Sequence, residues 1–183
     1  MNAKKQPAGR ISARSKVKAK AEVPSSTQPA AGRRAAEAQV STLIDKFTPG
    51  QMRPVTAIRR ALRKRLPTAC EIVYEYRDCF VVSYSPSEHG YEGVLALRGS
   101  ADDIRLYLTR GTELPDPARL LRSSGGQTRW IELEGASALA RPEVARLIEG
   151  AIALNRTPFP KTGRGPVVIR TSAAKPRRKS RAA

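Results

Sequence analysis

The sequence predicts an α+β domain: a mainly antiparallel five-stranded sheet, N-terminal and C-terminal helices packed on one face, and disordered basic tails on either side. Three observations predict it. From Glu71 to Glu134, short stretches alternate apolar and polar residues and are separated by brief turns, the pattern of consecutive antiparallel strands. On both flanks of that region, apolar residues recur at spacings of three and four, the pattern of helices with one covered face. Beyond the helices, residues 1–34 and 161–183 contain no aromatic residue and are rich in Ala, Lys, Arg, Pro and Ser. Such segments bury too little apolar surface to offset the entropy of ordering. The expected domain is therefore 35–160.

In chain order, Val40, Leu43, Ile44 and Phe47 place a first helix over Ala35 to Phe47. Thr48-Pro49 reads as a cap and first position of a second helix ending near Arg65. Pro54 inside it either kinks it or delays its start. Val55, Ile58, Leu62 and Leu66 form its apolar stripe, with Arg59, Arg60, Arg63, Lys64 and Arg65 between them. In the first strand, Ile72, Tyr74 and Tyr76 share one face and Glu71, Val73 and Glu75 the other. The acidic face is expected to be solvated. Arg77-Asp78 turns the chain into a second strand, Cys79 to Tyr84. A third covers Gly93 to Arg98 and a fourth Ile104 to Thr109. A short helix is expected near Pro117 to Leu121, then a Gly-Gly turn and a fifth strand over Thr128 to Glu134. Pro142-Glu143 opens the last helix, with Pro at the first position and an acid suited to the helix dipole.

Charge is unevenly placed. The chain has 183 residues and a net charge of +18. Residues 1–34 hold nine Lys/Arg and one acid, and 161–183 hold eight Lys/Arg and none, so the two tails carry +16 between them. The region between is nearly neutral. Basic arms bind polyanions by charge without a shaped site, so Lys16, Lys18, Lys20, Arg177, Arg178 and Lys179 are the candidate nucleic-acid contacts. The Thr162–Pro166 segment, TGRGP, loosely resembles a hook that enters a DNA groove.

Other chemistry is sparse. Cys70 and Cys79 fit no zinc or redox spacing and read as free thiols in a reducing compartment, so the cytoplasm is the expected location. No apolar run is long enough for a membrane span. His89 is the only histidine and has no evident catalytic partner; it reads as an exposed loop residue. The five tyrosines either pack within the sheet or line a cleft for a small ligand or a protein. Gly125 and Gly126 with Arg129 form a candidate anion site, because successive amides in a Gly-rich turn can form a concavity for phosphate. No cofactor, metal site or enzyme activity is expected.

Several segments together carry a family resemblance. LPDPARLL (114–121), SSGGQTRWIEL (123–133) and LARPEVARLIEGAIAL (139–154), with VYEY (73–76) and SYSP (83–86), resemble the YdhG-like domain family, a bacterial family of largely unassigned function. The resemblance covers about Ala36 to Leu154. Family members often carry a lysine where Gly126 stands. The resemblance also implies an alternative, a frataxin-like intracellular iron chaperone binding metal through carboxylates. The cation-rich second helix counts against it, since it would repel a hard cation.

Overall fold

A computed structural model describes residues 28–123 and 125–171. The chain runs α1 (Ala30–Phe47), α2 (Met52–Arg65), β1 (Cys70–Glu75), β2 (Cys79–Ser85), β3 (Leu95–Ser100), β4 (Ile104–Leu108), β5 (Arg129–Glu132), α3 (Pro142–Ala153) and β6 (Val167–Thr171). The fold is α+β, with three helices and a mixed six-stranded sheet. The strand order is β5-β4-β3-β2-β1-β6. The β1–β5 meander is antiparallel, as expected for consecutive strands.

The sixth strand corrects the expected five-stranded antiparallel sheet. β6 lies parallel to β1, pairing Val73 with Ile169. Its residues were expected to belong to the disordered 161–183 tail. VVIRT is instead a compact run of β-branched residues that finds an unpaired strand edge. The outer edge of β6 meets the chain again at Gln28, whose side-chain amide donates to the Val167 carbonyl and accepts from the Val167 amide, both at 3.0 Å. That side chain stands in for a neighbouring strand, and it fixes the point where residues 1–27 join the fold.

α1 begins at Ala30, so residues 30–34, expected in the disordered 1–34 tail, are helical; side-chain hydrogen bonds explain other shifts. Thr48 ends α1 instead of starting α2: its hydroxyl donates to the Ile44 carbonyl at 2.7 Å. α2 begins at Met52, so Pro54 falls in the first turn, where helical amides lack intrahelical partners and a missing N–H costs little. No helix forms over 117–121. The Asp116 carboxylate accepts from the Leu120 and Leu121 amides, at 3.0 and 2.7 Å, and Arg119 adopts a φ of 52°, so a side-chain-bonded turn displaces the helix.

The two faces of the sheet differ. Val73, Val82, Leu97, Leu106, Ile131 and Val167 face the helices and form one core with Val40, Ile44, Ile58, Leu62 and Ile148. Glu71, Tyr84 and Phe80 share that covered face by register. The opposite face carries Tyr74, Arg98, Arg105, Tyr107 and Trp130. At its β1 end the 86–93 loop folds across it. Gly90 passes so close to the Tyr74 hydroxyl that a side chain there would overlap it. Arg170 donates to the Glu88 carbonyl at 2.6 Å. Among the described residues, no helix is long and apolar enough to cross a membrane.

Candidate anion-binding cleft

The site begins with α2. Its apolar positions Val55, Ile58 and Leu62 turn inward, and Arg59 lies on the same stripe, between them. An arginine so placed needs a buried acid, and β1 supplies one. Glu71 is 2% exposed, and its carboxylate accepts two bonds from the Arg59 guanidinium, at 3.1 and 2.6 Å. Arg63 lies 3.5 Å from the same carboxylate. Glu37 of α1 closes the group, bonded to Arg59 at 2.8 Å and to Arg63. Burial works to raise the Glu37 pKa, but the hydrogen bonds and charges of Arg59 and Arg63 outweigh it and hold the carboxyl below its usual range. Burial likewise opposes the charged form of Arg59, yet Glu71 and Glu37 raise its pKa above the ordinary arginine value. Tyr84, opposite Glu71 on β2, is fully buried. Burial first, then the charge of Glu71, hold its phenol well above the usual range. The acidic strand face expected to be solvated is thus the covered one. Glu71 anchors arginines instead of meeting water.

Outside this buried group, α2 presents a second stripe. Thr56, Arg60, Arg63 and Lys64 recur at helical spacing on its outer side. The 161–166 loop packs beside them, 100 residues later in the chain. It is held there by two backbone bonds: the Gly165 amide donates to the Pro67 carbonyl at 3.0 Å, and the Glu71 amide to the Pro166 carbonyl at 2.9 Å. Gly163 has a φ of 95°, a left-handed turn suited to glycine. Gly165 is buried against the backbone of Thr68 and Ala69, so closely that any β-carbon would overlap the Ala69 carbonyl. Between helix and loop lies a cleft of about 690 Å³ lined by Glu37, Thr56, Arg59, Arg60, Arg63, Lys64, Pro67, Gly163 and Arg164.

Five cations and one acid line this cleft. Arg59 and Arg63 are held by Glu37 and Glu71. Arg60, Lys64 and Arg164 are exposed and have no ion-pair partner among the described residues. The bland account is that basic residues in the last turn complement the dipole of α2. That accounts for Lys64 but not for Arg164, which arrives on a separate loop. Unpaired like charges gathered around a cavity repel one another, and an anion relieves that repulsion. We expect Gly165→Ala to push the loop off Pro67, losing about 1–3 kcal/mol of stability in chemical denaturation and weakening polyanion binding. Unchanged stability would show that the loop seat is soft.

The sequence candidates fare differently. Gly125 and Gly126 have φ of 110° and 69°, so the turn does need glycine. Its polar groups are partly engaged within the turn: the Gly125 amide donates to the Ser123 hydroxyl at 3.0 Å, and the Arg129 guanidinium to the Gly126 carbonyl at 2.8 Å. Arg129 is therefore a brace across the turn. Lys16, Lys18, Lys20, Arg177, Arg178 and Lys179 lie outside the described residues. His89 is exposed and stacks on Tyr91, ring centroids 5.5 Å apart. Tyr74 and Tyr107 lie on the open face and Tyr84 on the covered one, so the three tyrosines do not share a cleft. Cys70 is buried, and burial, aided by the charge of Glu88, pushes its thiol up to about 12, so at neutral pH it is neither thiolate nor ready metal ligand. Among the described residues, no group of three or more His, Cys, Asp or Glu side chains could hold a metal ion. The α2 cations and TGRGP were both visible in sequence; their juxtaposition was not. Comparison with protein-family models, curated proteins and solved structures finds no match.

Proposed function

We propose that this protein is a non-enzymatic binding module of the YdhG-like type, acting in the cytoplasm, that holds a nucleic acid or similar polyanion. The supporting observation is the cleft between α2 and the 161–166 loop, where Arg60, Lys64 and Arg164 face solvent without acidic partners among the described residues. In this reading the cleft is the folded anchor, and the basic residues of 1–27 and 172–183 extend the contact along the same polyanion. Gln28, the first described residue, bonds to the fold at Val167, three residues from Arg164. The motif resemblance of 114–154 supports the family assignment within the proposal. The iron-chaperone reading has no carboxylate cluster among the described residues to favour it.

The test is a salt titration of the intact chain with a labelled oligonucleotide of about 20 nucleotides. Each neutralised phosphate contributes about 0.7–0.9 to the slope of log affinity against log salt. Three cleft cations plus the arms should give a slope of magnitude above about 3. A salt-independent affinity, or no binding at ~50 mM salt, would refute the reading.

A further inference from the structure

The open face of the sheet has an order that the polyanion reading does not use. Register places its side chains in two rows running across the strands. In one, Trp130 on β5 lies opposite Tyr107 on β4, and Tyr107 opposite Ala96 on β3. In the adjacent row, Glu132 on β5 lies opposite Arg105 on β4 and Arg105 opposite Arg98 on β3, then come Val81 on β2, Tyr74 on β1 and Arg170 on β6. A row that begins with two aromatic residues therefore runs beside one that holds three arginines and Glu132. Asp103 binds both Arg98 and Arg105 and so holds their guanidinium groups in place. Around the Trp130 indole sit two planar cations, that same Arg105 at 4.1 Å and Arg122 at 5.6 Å from the ring centroid. Tyr107, Trp130, Arg98 and Arg105 are all partly buried, the two arginine side chains 24% and 30% exposed, and the helices pack on the opposite side of the sheet.

We propose that this face is a stacking platform for single-stranded nucleic acid. The proposal rests on the polyanion reading and names its class: a strand with unpaired bases. The physical case is complementarity of two kinds. Every base has a π-face that stacks on Trp or Tyr whatever its identity, and phosphates pair with a line of arginines beside the rings. Four arginines on or beside the face (Arg98, Arg105, Arg122 and Arg170) stand against Asp103, Glu132 and, on the 86–93 loop that crosses it, Glu88. A duplex hides its base faces and cannot use the two aromatic residues. A base arriving at Trp130 displaces Arg122, the more distant of the two stacked cations, toward the neighbouring phosphate. The cleft at the β1–β6 end and Arg170 on β6 allow one strand to pass around that edge of the sheet.

Trp130 is the only tryptophan in the chain, so the intact protein reports on its own face. Its emission should be followed during titration with oligo(dT), a duplex of equal length, inorganic polyphosphate and polyglutamate at low salt, with binding read in parallel from labelled ligands. The expected result is quenching of Trp130 by oligo(dT) in step with binding, and binding of duplex and polyphosphate without quenching. Tyr107→Ala should weaken oligo(dT) binding about 5- to 100-fold and leave polyphosphate affinity unchanged. Oligo(dT) binding without quenching would overturn the platform while leaving the polyanion reading intact. Quenching by polyglutamate but not by oligo(dT) would overturn it in favour of an acidic protein partner. Failure of all four ligands to bind would remove both readings together.

Discussion

Glu71→Ala should cost about 3–5 kcal/mol of folding stability, the largest effect we expect from any single substitution in the domain. The carboxylate is 2% exposed and accepts both forks of Arg59. Removing it leaves a guanidinium that is itself only 9% exposed, with Glu37 as its one remaining acidic partner. A buried charge left with one partly exposed partner in place of two, not the lost bond alone, sets the magnitude. A domain at the lower end of ordinary stability, about 5 kcal/mol, would then be close to unfolding at room temperature. Urea denaturation followed by circular dichroism measures it. The companion experiment separates charge from packing: Arg59→Met with Glu71→Leu removes both charges at similar volume and should lie within about 1–2 kcal/mol of the parent or above it. If the single and double variants lose the same amount, packing rather than the buried charge is responsible.

That pair also shows where sequence reasoning stopped. Alternation in EIVYEY correctly separated Glu71, Val73 and Glu75 from Ile72, Tyr74 and Tyr76, but alternation does not say which face the helices cover. Two glutamates made their face look wet. The contrary signal was in α2, where Arg59 falls on the stripe of Val55, Ile58 and Leu62. A charge on an apolar stripe calls for a buried partner of opposite sign, and Glu71 was available. Strand existence within the β1–β5 meander was legible from alternation along each strand, since consecutive strands pair even across the long 109–128 connection. β6 was not, because its partner is 96 residues away and parallel, and because five β-branched or basic residues vanish in the composition of a cationic tail. The cleft was lost with it. The α2 cations and Arg164 meet only because β6 docks on β1 and Gly165 fits against Ala69, a long-range consequence that no local pattern encodes.

Reversing the three unpaired cleft cations together, Arg60→Glu, Lys64→Glu and Arg164→Glu, should lower oligonucleotide affinity roughly 10²–10³-fold at ~100 mM salt and make the salt slope shallower by about 2–3. The estimate follows from counterion release: each lost phosphate contact forfeits just under a tenfold factor at this salt concentration relative to 1 M, and reversal adds repulsion. All three side chains are exposed and none has an ion-pair partner among the described residues, so the fold should persist with an unaltered circular dichroism spectrum. The slope is the discriminating quantity. Arms alone would bind by charge and keep nearly the full slope after reversal, because their lysines and arginines are untouched. A shared site would lose both affinity and slope, and lose them for duplex, single strand and polyphosphate alike. If affinity and slope both survive, the α2 face is a solvated basic surface and the cleft holds no phosphate. If only the slope for single strands survives, the strand is retained by the Trp130 face, and the two surfaces act independently.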